Sequence, residues 1–250
     1  MDIKEFFQRH GKVAVAFSGG TDSAYLLYAA GKFAETVKAY YVKSAFQPKF
    51  ELDDAKRIAA ELNLPLTVLE VDVLSDADVI SNTPKRCYFC KRRIFTAIRE
   101  AAIRDGFDVL LDGTNASDDV ADRPGMAALA ELSVLSPLRL CGLTKADVRR
   151  LSKEAGLFTW DKPAYACLAT RIPTGRQIDR RLLERTEAAE DYLASLGFRD
   201  FRVRTFGESA RIQLTAEQLP LLMQHRREIM ERLGKEYGGV LLDLETRDGQ

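Results

Sequence analysis

The chain lacks several things, and each absence narrows the reading. Among its 250 residues there are two histidines and four cysteines. Cysteine this sparse in a chain this long is no secreted disulfide framework. A reducing, cytoplasmic setting is therefore expected. Net charge is zero, with 37 basic and 37 acidic side chains. A global basic field for holding nucleic acid is thus missing. No apolar run approaches the ~18 residues of a membrane span, so no membrane partner is expected. The N-terminus, from Met1 to His10, is charged and poor in apolar residues, which does not read as a signal peptide. Internal repeats and low-complexity tracts are also missing.

What remains is a soluble-type composition, 46% hydrophobic and 30% charged, enough for one large or two small domains. Apolar runs at Val13–Phe17, Val37–Val42, Leu66–Val71 and Val109–Leu111 read as strands. Helical spacing over Ala24–Phe33, Glu51–Leu62 and from Arg86 to about Arg104 separates them. Val134–Leu138 reads as a short fifth strand. Thr144 reads as the N-cap of a helix over Lys145–Ala155, closed by Gly156. This alternation predicts an α/β fold with a doubly wound parallel sheet. Trp160–Arg176, with two prolines and a glycine, reads as a loop. Beyond it come a helix over Asp179–Leu196, strands Phe201–Phe206 and Arg211–Leu214, a helix over Ala216–Leu233 and a strand Val240–Leu244. These predict a second, smaller α/β domain, with the division at 1–165 and 166–250.

Between the first strand and its helix stands Ser18-Gly19-Gly20-Thr21-Asp22-Ser23. A helix start offers unpaired N–H groups and partial positive charge. Two glycines let an anion approach, and the hydroxyls add donors. The stretch reads as a phosphate cradle, although no Gly-Lys-Ser/Thr follows as in a Walker loop. Asp22 is placed to hold Mg²⁺ against phosphates or to cap the helix electrostatically. Asp112, Thr114, Asn115 and Asp119 fall at a strand's carboxyl end, within reach of a nucleotide or its magnesium. Arg123 and Arg139 are candidate phosphate clamps. A Ser-Gly-Gly-x-Asp-Ser turn after the first strand resembles the PP-loop of ATP pyrophosphatases. That resemblance implies ATP cleaved between its α and β phosphates and a carbonyl activated by adenylation.

Cys87 and Cys90 are three apart, on one face if helical, amid Arg86, Lys91, Arg92 and Arg93. Neighbouring cations favour thiolate. A redox pair, half a zinc site and part of an iron–sulfur cluster all remain open. Zinc wants four ligands, and no second Cys-x-x-Cys is present. His10 and His225 sit in amphipathic contexts far from these cysteines and read as surface residues. Cys167 lies in the later loop, and a four-iron cluster on Cys87, Cys90 and Cys167 would leave one iron open. Cys141, near a strand end, could be a fourth ligand but reads first as a core thiol. Arg202 and Arg204 share one face of a strand, a spacing that suits a phosphate or a solvated face.

Eight segments together resemble the LarE family of ATP-dependent sulfur transferases: Ser18–Ser23, Arg86–Lys91, Asp112–Asn115, Arg123–Gly125, Ser136–Leu138, Trp160–Pro163, Ala166–Arg171 and Phe201–Arg204. They span nearly the whole chain in order. The resemblance implies adenylation of a pyridinium biscarboxylic acid mononucleotide, then displacement of AMP by sulfur on each carboxylate. The product feeds the nickel-pincer cofactor of lactate racemase and related enzymes. It further implies that sulfur comes either from the loop cysteine, Cys167, or from a sulfide on a [4Fe–4S] cluster held by Cys87, Cys90 and Cys167. The three cysteines together favour the cluster. Arg202 and Arg204 would bind substrate phosphate, with Glu187 and Glu190 facing the site. Thr170 stands where members often have serine. A homo-oligomer and an external sulfur donor are also implied. A cluster-bearing tRNA thiolase is the rival enzyme. A nucleotide-binding or iron–sulfur sensor without turnover is the rival from another class.

Overall fold

A computed structural model describes residues 1–118 and 124–247. It divides into two compact units. The first is Met1–Val73 with Pro84–Lys162, and the second is Leu74–Thr83 with Pro163–Gln250.

The first unit opens with a helix that the sequence reading did not anticipate, α1 (Ile3–Arg9). Asp2 caps it and Glu5 returns the bond to the Asp2 N–H, a reciprocal capping box. Seven residues are too few for a helix to persist alone. Burial of Phe6 and Phe7 supplies the rest, at about 1.5–3 kcal/mol for each side chain. There follow β1 (Lys12–Ala16), α2 (Thr21–Phe33), β2 (Thr36–Lys43), α3 (Lys49–Glu61) and β3 (Leu66–Glu70). A one-turn helix, α4 (Ala77–Ile80), belongs to the second unit. The first unit resumes with α5 (Arg86–Arg104), β4 (Val109–Leu111), α6 (Pro124–Glu131), α7 (Pro137–Leu140) and α8 (Lys145–Glu154).

The sheet order is β3-β2-β1-β4 and every pairing is parallel. Both faces are covered, which is why β1 reads as an unbroken apolar run. Val13 and Val15 pack with Phe6, Phe7, Leu26, Leu27, Ile58 and Val148 on one face. Ala14 packs with Tyr40, Ile98, Ala101 and Ala102 on the other. The doubly wound sheet is thus observed. Its connections run outward from β1 in both directions, so the crevice at the carboxyl ends of β1 and β4 is the switch point.

The expected fifth strand, Val134–Leu138, is not formed. Leu135 makes a single parallel bridge to Leu111, and at Pro137 the chain turns into α7. Proline has no N–H for a ladder and fits the first turn of a helix instead.

In the second unit, α9 (Arg180–Ser195) is capped by Asp179. β5 (Arg202–Phe206) and β6 (Ser209–Gln213) form an antiparallel hairpin, and β7 (Val240–Leu242) pairs parallel to β6. The single helix expected over Ala216–Leu233 is broken into a 3-10 turn, α10 (Leu219–Gln224) and α11 (Arg226–Leu233). Pro220 accounts for the first break: it has no N–H to donate to the Ala216 carbonyl and takes a place in the first turn of α10 instead. Leu193, Phe198, Val203, Ile212, Ile229 and Leu233 form this unit's core. Asn82 is 1% exposed. Its side-chain amide donates to the carbonyls of Pro173 (2.8 Å) and Arg176 (3.0 Å), tying the long loop to this segment.

Candidate active site

The loop after β1 keeps its shape through its own atoms. The Ser18 and Ser23 hydroxyls lie 3.0 Å apart, and Ser23 Oγ donates to the Gly20 carbonyl at 3.1 Å. Gly19 has φ +75, and a Cβ there would stand 2.9 Å from the Glu51 carbonyl oxygen. Both facts require glycine. Gly20, extended, is the N-cap of α2 and no side chain caps that helix. The first-turn N–H groups are therefore left for an anion. Thr21 differs from expectation in one respect. Its hydroxyl donates to the Thr159 carbonyl at 2.8 Å, so it anchors the loop and only its backbone faces the cradle.

The turn after β4 packs directly on this helix start. A Cβ at Gly113 would be 2.9 Å from the Ser23 nitrogen. Asp112, 6% exposed, accepts the Thr114 and Ser136 hydroxyls. Asn115 donates to Asp22 at 3.3 Å, and Lys145 Nζ pairs with the other Asp22 oxygen at 2.6 Å. Asp22 offers the carboxylate oxygens that magnesium takes, with Lys145 holding one of them. Arg139 donates to the Asp118 carbonyl at 3.0 Å, holding the turn. Asp119 and Arg123 lie outside the described residues.

Two lysines here were not singled out from sequence. Lys162 pairs with Asp54 at 2.6 Å and reaches the Gly19 carbonyl at 3.5 Å. Lys145 occupies the first position of α8, the wrong end of a helix dipole for a cation. That misplacement was its only sequence signal.

In the second unit the Cys167 loop is clamped from within. Cys167 precedes a 3-10 turn, Leu168–Arg171, and its carbonyl accepts both the Thr170 N–H (2.9 Å) and hydroxyl (2.8 Å). Arg171 is 1% exposed. It grips Glu190 with two N–H groups (2.8 and 3.1 Å) and holds the Ala166 carbonyl at 2.9 Å. Burial opposes its charge, but the Glu190 bonds outweigh that and keep its pKa above the ordinary value. Glu190 also accepts the Tyr165 hydroxyl (2.6 Å) and the Val203 N–H (2.9 Å). Four donors fill a carboxylate. Glu190 was expected to face substrate; the geometry gives it the loop to hold.

Arg202 and Arg204 flank the same loop. Arg202 donates to the Ala164 carbonyl and Arg204 to the Thr170 carbonyl at 2.9 Å. Burial, then the Arg171 and Arg247 charges, pulls the Arg202 pKa down to about 10. The same causes lower that of Arg204. Clustered, partly desolvated guanidinium groups favour an anion.

Cys87 is exposed and Cys90 half-buried at the start of α5. The Arg86 guanidinium stands 3.8 Å from the Cys87 sulfur. Cys167, half-buried, lies in the other unit. Among the described residues no three His, Cys, Asp or Glu side chains are grouped to hold a metal. Cys141 packs against the core, as expected, and burial raises its pKa. Among the described residues no helix is long and apolar enough to cross a membrane.

A parallel sheet with an uncapped, glycine-led helix start at its switch point is consistent with the PP-loop ATP pyrophosphatase fold. The family described as queuosine biosynthesis protein QueC matches residues 12–93, the stretch that holds this loop. Across 93% of its length the chain is 33% identical to the pyridinium-3,5-bisthiocarboxylic acid mononucleotide synthase of Lactiplantibacillus plantarum, covering 86% of that protein. The chain belongs to this LarE-type family and is an ATP-dependent sulfur-transferring enzyme. An uncharacterised protein of Synechocystis is 34% identical over 89% of the chain and 84% of its own length. The tRNA-specific 2-thiouridylase MnmA of Pseudothermotoga lettingae is 28% identical over 66% of the chain and 58% of that enzyme.

Proposed function

We propose that the enzyme converts the carboxylates of pyridinium-3,5-biscarboxylic acid mononucleotide to thiocarboxylates, for the nickel-pincer cofactor of lactate racemase-type enzymes. A substrate carboxylate oxygen attacks the α-phosphorus of ATP, and pyrophosphate leaves toward the N–H groups of Thr21, Asp22 and Ser23. Those groups, with Lys145 and Lys162 nearby, offset the charge that develops. Sulfur then bonds to the acyl carbon and AMP departs with the electron pair of the broken C–O bond. The observation that carries this reading is the bracket of Arg202 and Arg204 around the Cys167 loop. A mononucleotide phosphate bound there brings the rest of the substrate beside a cysteine.

For the sulfur we favour a [4Fe–4S] cluster on Cys87, Cys90 and Cys167, which when bound would present a transferable sulfide. Cys87 and Cys90, one helical turn apart, suit two of its positions. Exposed Phe206, Leu241 and Leu244 in the second unit suit the homo-oligomer that the resemblance implies. The test is substrate-dependent AMP formation by anaerobically purified protein, with iron and peptide mass measured beside it. Brown protein that loses its iron when any one of the three cysteines is replaced supports the cluster. Colourless protein whose Cys167 loses sulfur after one turnover replaces it with the sacrificial route. Absence of AMP formation overturns the whole reading.

A further inference from the structure

In the second unit the Arg171, Arg202 and Arg247 side chains are buried and that of Arg204 is half-buried. Arg171, Arg202, Arg204 and Arg247 influence one another's charge, with Glu190 and Asp200 as nearby anions. Glu190 is fully engaged. Asp200 therefore stands between two guanidinium groups. Arg247 holds its Oδ1 with Nε and Nη2, each at 3.1 Å, whereas Arg202 Nη1 is 3.7 Å from the same oxygen. The chain fixes this division. The Arg247 N–H donates to the Leu214 carbonyl at 2.8 Å, folding the C-terminal segment back along β6. Arg211 pairs with Asp243 at 3.3 Å on the same segment. Asp200 itself has φ +44, a backbone state that an aspartate occupies only at some cost.

We propose that Arg247 is a positioning residue for the substrate phosphate: by holding Asp200 it keeps that carboxylate at a loose 3.7 Å from Arg202 and so leaves the arginines of β5 open to an anion. The inference rests on the reading of Arg202 and Arg204 as phosphate ligands. Without Arg247, Arg202 is the cation left paired with Asp200 among the described residues, and at this burial the pair closes. Arg202 is then neutralised from inside the protein, and the incoming phosphate must compete for it. Arg247 is part of neither the ATP loop nor the Cys167 loop, so the effect is confined to mononucleotide binding.

The experiment is steady-state AMP formation by the full chain, with KM taken separately for mononucleotide and ATP, alongside calorimetric titration with the mononucleotide. R247A raises mononucleotide KM and Kd about tenfold, the order of one lost charge-assisted contact, and leaves kcat and the KM for ATP unchanged. Adding Asp200→Asn to that variant brings both constants back to within about threefold of the starting enzyme, because the competing carboxylate is gone. A purely structural loss would not be rescued by a second substitution. An R247A enzyme with unchanged constants, or a double variant as weak as the single one, overturns the inference. Should R247A fail to fold, D200N alone decides. Tighter mononucleotide binding supports the proposal and weaker binding overturns it. Arg204→Ala separates the two layers. If it too leaves mononucleotide KM unchanged, the phosphate reading itself has failed; if it raises KM while R247A does not, only the role of Arg247 falls.

Discussion

Gly113→Ala asks whether the turn after β4 holds the phosphate loop in shape. The added Cβ would lie 2.9 Å from the Ser23 nitrogen, 3.1 Å from its Cα and 3.3 Å from the Asp22 carbonyl carbon. All three are backbone atoms of the first turn of α2, so no rotamer change relieves the clash. Relaxed contact needs about 3.5–4.0 Å. The turn and the helix must therefore separate by roughly half an ångström to one ångström. Overpacking of this kind costs about 1–3 kcal/mol of stability. The displaced N–H groups are those proposed above to receive the phosphates, and a misplacement approaching 1 Å costs up to about a hundredfold in rate. ATP–pyrophosphate exchange should accordingly fall by about ten- to a hundredfold in kcat/KM for ATP. Gly156→Ala is the control. That glycine has φ +71 and nothing within 4 Å of its would-be Cβ, so it loses about 1 kcal/mol to backbone strain and keeps its ATP kinetics. A folded G113A enzyme with unaltered exchange would refute the argument that close packing shapes the cradle.

Two further outcomes follow from contacts in the structure. Glu190→Gln strands the Arg171 guanidinium, whose side chain has no exposure. Removing one partner of a buried pair costs about 3–5 kcal/mol, so thermal denaturation should show a large drop in Tm, and Cys167 should react faster with iodoacetamide; an unchanged Tm would show that the pair holds nothing. Asp147 caps α8 from its third position, and bonds from the Thr144 hydroxyl and then its N–H lower its pKa. A lowered carboxyl contributes stability above its unfolded value near 4, lost as pH falls through the folded value. Tm should be flat from neutral pH to about 5 and fall below about 4, less steeply in D147N; identical acid profiles would remove Asp147 from the account.

Local chemistry made much of the fold legible. β1, α2, β2, α3, β3, α5, β4 and α8 fall close to where periodicity and capping residues put them. The misses have physical causes. α1 is seven residues long and depends on Phe6 and Phe7 finding a core. Val134–Leu138 has strand composition but reaches Pro137 before a ladder can extend. Ala216–Leu233 is apolar at helical spacing, yet Pro220 breaks it. In the site, residue types were visible and partners were not. The Thr21 hydroxyl, Arg139 and Glu190 each bond to backbone or a neighbouring side chain, partners that spacing does not show.

By itself the sequence determined that a glycine-led helix start follows the first strand, that three cysteines stand at Cys87, Cys90 and Cys167, and that arginines alternate along β5. Those are facts of spacing, set by the 3.6- and 2-residue periods of helix and strand. Only the tertiary structure decided which groups are spent and which remain available. Lys145 meets Asp22 across 123 residues of chain and Arg247 meets Asp200 across 47. Burial decides the rest, since a guanidinium without a full complement of carboxylates seeks an anion only where water cannot serve instead.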